Sequence, residues 1–157
     1  MADFMREMRA GEEGAVDALL RAAFGGPDEA LLVTALRKSG DIAGEQVVAE
    51  GGSIVGYLAL SAMPAPKGWL CLAPVAVAPD RQGAGIGRRM VRFVAGWAEA
   101  AGQTLVVLGD PTFYGRCGFR AATGLTSPFP IDHTLVAGPA KARPGTALVY
   151  PKAFGAG

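Results

Sequence analysis

The chain has 157 residues, half of them hydrophobic and 18% charged, which excludes disorder of the whole and is the size of one domain, 1–157. Fifteen basic residues against 14 acidic leave a formal net charge of +1, without the basic excess of a nucleic-acid binder. The single histidine, His133, excludes a site built on two histidines. Cys71 and Cys117 form no CxxC pair and no disulfide framework, so no metal is expected and a reducing cytoplasm is.

In chain order, residues 3–9 set Phe4, Met5 and Met8 among charges and read as a short first strand, with no apolar run for a signal peptide. From Glu12, Val16, Leu19, Leu20, Ala23 and Phe24 recur at helical spacing until Gly25 and Gly26. Pro27 and Asp28 open a second helix, with Leu31, Leu32, Ala35 and Leu36 on one face and Gly40 behind it. Residues 46–50 and 54–60 read as a hairpin turning at 51–53. The apolar run 69–77 is a strand buried on both faces, and Pro74 predicts a bulge or broken pairing within it. After a loop at 80–87, Ile86, Met90, Val94, Trp97 and Ala101 mark one helix face, with Met90 and Trp97 in the core and Gly102 as the stop. Residues 104–109 are a second buried strand, 112–117 a short helical turn, and the tail from 122 is loop-like until a last strand at 147–150. The order is α+β, mixed with an α/β unit at 69–109 whose two strands are expected to be parallel.

The loop Asp-Arg-Gln-Gly-Ala-Gly-Ile-Gly (80–87) opens that helix, where free N–H groups and the helix dipole favour an anion. Residues 80–92 carry a net charge of +3, through Arg81, Arg88, Arg89 and Arg92 against Asp80. The arginines read either as phosphate partners or as a solvated helix face. There is no Gly-Lys-Ser/Thr, and Arg88 stands where the dinucleotide fingerprint needs its third glycine. What remains is Gln82-x-x-Gly85-x-Gly87 after the strand Val-Ala-Val-Ala-Pro (75–79), followed by Tyr114-x-x-x-Gly118-Phe119 after the next strand.

This order of loop, helix, strand and tyrosine resembles the GNAT superfamily of N-acetyltransferases, most firmly over 69–121. Residues 108–119 and the tail at 145–154 resemble an uncharacterised bacterial branch of it. The resemblance implies a GNAT-like acyl-CoA N-acyltransferase fold, a central mixed sheet flanked by helices. It implies acetyl-CoA as acetyl donor, held by Val75, Ala76, Val77, Gln82, Gly83, Ala84, Gly85, Ile86, Gly87 and Arg88. Tyr114 is implied as the catalytic residue, at the thioester sulfur. The reaction is direct attack by a primary amine of a small molecule or protein in a ternary complex. No membrane and no nucleic acid are expected as partners, and a homodimer stays open.

The general base is not legible. Residues 51–79 contain no Asp or Glu, unlike relatives that carry a Glu near the strand before the loop. Asp110 is the nearest acid to Tyr114 in the chain, yet it stands before Pro111 as turn-forming aspartates do. A water relay or a neutral amine would also serve, and no motif places His133 in the site. The acceptor site is expected near 24–32 and 122–134. The alternatives are a non-catalytic acyl-CoA-binding sensor or partner module and, more weakly, a nucleotide-binding regulator.

Overall fold

The computed structural model describes residues 4–155. Strand β1 (Arg6–Glu7) leads into helices α1 (Glu13–Phe24) and α2 (Asp28–Ser39). Strands β2 (Ile42–Glu50), β3 (Ser53–Ala62) and β4 (Leu70–Val77) follow, then α3 (Ile86–Ala101), β5 (Leu105–Leu108) and α4 (Pro111–Arg116). The tail contributes β6 (Arg120–Ala121), β7 (Leu125–Thr126), β8 (Thr134–Ala137) and β9 (Thr146–Ala147). Seven strands form one mixed sheet in the order β1-β2-β3-β4-β5-β8-β6, while β7 and β9 pair separately. Within the seven-stranded sheet only β4 and β5 run parallel, as a strand–helix–strand crossover predicts.

Helices cover both faces. On one, Val16, Leu20 and Val33 of α1 and α2 pack on Val47, Tyr57, Ala59 and Ala76. On the other, Met90, Val91 and Val94 of α3 pack on Leu58, Leu72, Leu105 and Val107. The tail closes the first face beyond the helices, with Leu148 and Tyr150 over Cys71, Val106 and Val136.

The bulge expected at Pro74 is present and decides the shape of β4. Leu60 pairs with Leu72 and Leu58 with Val75, so β4 spends one residue more than β3 across this step. Side-chain parity flips as a result. Leu70 and Leu72 face α3 before the bulge, and Val75 and Val77 face it after. The parallel pairing to β5 ends in the same place: only Leu70↔Leu105 and Cys71↔Val106 are in register. Beyond them β5 stays with β8, and the sheet opens between β4 and β5.

Four expectations need correction. Of the strand expected at 3–9 only Arg6–Glu7 is strand, with Met8 N–H still donating to Glu45 O at 3.0 Å, and residue 3 lies outside the described residues. Trp97 is 42% exposed while Met90 is fully buried. The buried stripe of α3 is centred on Met90, Val91, Val94 and Ala98, and Trp97 lies at its edge. The tail is not loop-like throughout, because β8 is entirely buried between β5 and β6. Residues 147–150 are no continuous strand: Ala147 ends β9 and Val149 makes an isolated bridge to Ala65.

Helix α2 is fastened to the sheet by a polar cluster. Arg37 of α2 donates to Glu45 of β2 at 2.7 Å, and the Tyr57 hydroxyl donates to the same carboxylate oxygen at 2.6 Å. Burial first, then Glu45, pushes the Tyr57 phenol well above its ordinary pKa. Tyr57→Phe should cost about 1 kcal/mol, one hydrogen bond with the ion pair kept. Glu45→Ala strips both donors of their partner and should cost about 2–3 kcal/mol. Urea unfolding checks the pair, and equal losses would contradict this division.

Candidate active site

The opening in the sheet leaves one edge of β4 bare. Before the bulge, Leu70 N–H donates to Thr104 O at 3.0 Å, so Leu70 faces β5. After it, Ala78 N–H donates to Val55 O at 2.8 Å, so Ala78 faces β3. Antiparallel pairing alternates, so Ala76 also turns its backbone groups to β3. Val75 and Val77 turn theirs into the gap, where β5 no longer follows. Of these three expected contacts, Ala76 is the one turned away from the gap: it pairs with Tyr57 and its side chain lies in the α1–α2 core.

The loop is tied to this edge by Gln82, whose Nε2 donates to Val77 O at 3.0 Å. The Gln82 amide is therefore a strut between loop and strand. Gly85 caps α3 with φ +85°, a conformation that favours glycine, and no side chain caps the helix. A cleft of about 530 Å³ lies in front of these N–H groups, with Val77, Gly83, Gly87 and Arg88 in its wall. Ala84 is not in that wall and lines a separate hollow with Phe4 and Arg89.

The arginines divide. Arg81 is held bidentate by Glu50 at 2.8 and 2.9 Å. The Arg89 guanidinium lies 3.9 Å over the Phe4 ring, and Arg92 donates to Arg116 O at 3.3 Å. Arg88 and Arg116 both line the cleft, and neither forms an ion pair among the described residues. Sequence reasoning missed Arg116. It reaches the cleft because α4 ends against the first two turns of α3, where Arg92 holds its carbonyl, although its place two residues after Tyr114 was a signal.

Tyr114 sits on α4, which begins at Asp110. The Asp110 carboxylate accepts the Thr112 N–H at 3.0 Å, the turn-forming role that its place before Pro111 suggested. Edge-to-face contacts hold the Tyr114 ring, with centroids 5.0 Å from Phe113 and 5.7 Å from Phe119. A Cβ on Gly109 would overlap that ring, so the glycine makes its room. Burial pushes the Tyr114 phenol up to about 12, so the side chain is a neutral hydroxyl donor.

Tyr114 also borders a second cavity of about 340 Å³, together with Val75, Leu108, Glu29 and Phe129. The segments expected to form the acceptor site, 24–32 and 122–134, do converge on it. Glu29 is the one carboxylate in its lining among the described residues, and sequence reasoning did not single it out. Cys71 lies there too, but burial pushes its thiol up to about 12, which leaves little thiolate for nucleophilic attack. His133 is exposed, 3.4 Å from Gly109 O, and lines neither cavity.

The domain model of the GNAT acetyltransferases matches residues 43–121. The uncharacterized N-acetyltransferase YhbS of Escherichia coli strain K12 is 35% identical over 112 residues, 68% of this chain and 67% of that one. The crystal structure of E. coli YhbS in complex with CoA superposes with a TM-score of 0.87 at 28% identity, over 96% of this chain and 91% of that one. A GNAT family acetyltransferase from Brucella melitensis in complex with acetyl-CoA gives 0.80 at 30% identity, over 96% of both chains. The chain belongs to the GNAT family of N-acetyltransferases.

Gly109→Ala should drive a methyl into the Tyr114 ring and cost about 1–3 kcal/mol, with a changed near-ultraviolet dichroism signal. A wild-type urea midpoint would mean that the ring has room to move aside.

Proposed function

We propose that this chain transfers the acetyl group of acetyl-CoA to a primary amine, with the gap between β4 and β5 as the site of transfer. The observation that carries the reading is the bare edge of β4, which runs from the uncapped start of α3 toward Tyr114. The pantetheine arm is the kind of extended polar chain that adds to such an edge, through the free groups of Val75 and Val77 N–H. The cleft suits the diphosphate, which would take the N–H groups at Gly85 to Arg88 and the side chains of Arg88 and Arg116. The thioester supplies an activated carbonyl. A backbone N–H of the β4 edge would steady the oxyanion, and Tyr114 would donate a hydrogen bond to the departing sulfur. Two free, buried cysteines fit work in the reducing cytoplasm. Among the described residues no helix is long and apolar enough to cross a membrane.

Full proton transfer from Tyr114 is not favoured. A phenol near 12 and a thiol near 8.5 differ by about 3.5 units, which is uphill by about 5 kcal/mol. Tyr114→Phe should therefore lower kcat about tenfold, about 1.4 kcal/mol, with acetyl-CoA affinity kept. The phenol stays protonated up to about pH 12, so the mutant should keep the wild-type pH–rate profile between pH 6 and 10. Loss of an alkaline limb in the mutant would make Tyr114 a titrating acid instead.

Binding of acetyl-CoA by calorimetry tests the loop. Gly87 has ordinary helical φ, and a Cβ there meets only Val77 Cγ2 at 3.5 Å, so Gly87→Glu is tolerable to the fold. It should weaken acetyl-CoA at least a hundredfold, by filling and charging the cleft. Arg88→Ala and Arg116→Ala should each weaken it about tenfold, about 1.4 kcal/mol, the scale of one charge-assisted contact. Arg89→Ala should not, since that guanidinium rests on Phe4. Equal losses at all three arginines would point to general charge attraction, and tight binding by folded Gly87→Glu would remove the loop from the site.

A further inference from the structure

We infer that the cavity beside Tyr114 takes a small monoamine carried on an apolar, ring-sized body, and that Glu29 receives its ammonium group. This rests on the acetyltransferase reading above and names the acceptor class for that site. The cavity, about 340 Å³, lies at the small end of the range for small-molecule pockets, roughly 300–1,000 Å³. Phe24, Leu32, Phe129 and Phe154 make its walls apolar. Its charged lining is the Glu29 carboxylate alone among the described residues, and Glu29 makes no hydrogen bond or ion pair there. At the second position of α2 an acid complements the helix dipole, which accounts for its presence but not for its place on an apolar cavity that Tyr114 also lines.

Tyr150 adds its ring to the same wall, edge-to-face with Phe129 at 4.9 Å and with Phe154 at 5.9 Å, while its hydroxyl is buried. One carboxylate matches one ammonium. A polyamine would bring further cations against aromatic walls with no counter-charge, and an aminoglycoside would bury hydroxyls there.

The chemistry balances through these groups. The bound ammonium must lose a proton before its nitrogen attacks, and Glu29 is placed to accept it and pass it to water. The nitrogen–carbon bond forms as the carbon–sulfur bond breaks. The nitrogen's second proton is released, the sulfur leaves as thiolate, and one proton returns to it to give the free thiol. Per ammonium acetylated, one amide, one thiol and one net proton result.

Calorimetry and steady-state acetylation with 2-phenylethylamine, spermidine, kanamycin and a peptide with a free N-terminus test this. Expected are direct binding of 2-phenylethylamine, and a kcat/KM for it at least tenfold above the other three. Glu29→Gln should weaken 2-phenylethylamine binding at least tenfold and lower kcat/KM at least a hundredfold, with acetyl-CoA affinity unchanged and the urea midpoint lowered only slightly by loss of one charge at the start of α2. Glu29→Asp should recover most of the loss. Preference for spermidine, kanamycin or the peptide would overturn the inference and leave acetyl transfer standing. So would a Glu29→Gln variant that binds and acetylates 2-phenylethylamine like wild type. Failure of acetyl-CoA itself to bind would sink the acetyltransferase reading, while amine binding to the chain alone would still report on the cavity.

Discussion

A single extra residue in β4, at Ala73–Pro74, shifts the register against β3 in the middle of the sheet. Pro74 has no N–H to donate, so the ladder cannot be continuous there. After the bulge the free backbone groups of β4 point to the side where β5 should be, but β5 has already followed β8 away. In most sheets a bare interior edge is a defect that solvent or another strand must satisfy. Here it lies between two cavities, one before the glycine loop and one beneath α2, and Tyr114 stands beside it. The chemistry proposed for this chain requires a polar, extended donor to meet an amine at one point, and the split sheet is the point we propose.

The surrounding structure holds the split open. Helix α3 is packed on β3 and β4 closely enough that a Cβ on Gly56 would lie 2.8 Å from Met90 Sδ. This fixes the N-terminus of α3, and with it the loop, against the end of β4. On the other face, the Arg37–Glu45–Tyr57 cluster fastens the C-terminal end of α2 to the sheet, while Glu29 lies at the opposite end of that helix. Helix α4 is positioned by its Asp110 cap and by the missing side chain at Gly109, which together set the Tyr114 ring.

Local signals in the sequence were read well where one residue's neighbours in the chain decide its structure. Helices α1 to α3 follow from their apolar spacing and glycine stops, the glycine loop from its composition, and the bulge from one proline in an apolar run. The misses are all long-range. Strand β8 has four buried residues in a tail rich in Pro and Gly, and it becomes a strand because β5 and β6 offer edges on either side. Trp97 fits the apolar period of α3 but falls at the margin of the face that the sheet selects. Arg116 stands inside the Tyr114-x-x-x-Gly118-Phe119 pattern, whereas Glu29 and Tyr150 carry no motif and reach the second cavity only through α2 and the tail, so their candidacy exists in the fold alone. The same holds for Ala76, whose neighbours Val75 and Val77 are exposed to the gap by an alternation that only the register of β4 determines.

Amide hydrogen exchange, resolved residue by residue by NMR, tests the bare edge most directly. In the free protein the N–H groups of Val75 and Val77 should exchange rapidly, while those of Ala76 and Ala78, bonded to β3, are protected. Addition of acetyl-CoA should slow exchange at Val75 or Val77 and leave Ala76 and Ala78 as they were. Protection of Val75 and Val77 in the free protein, or exchange there that acetyl-CoA does not change, would contradict the account.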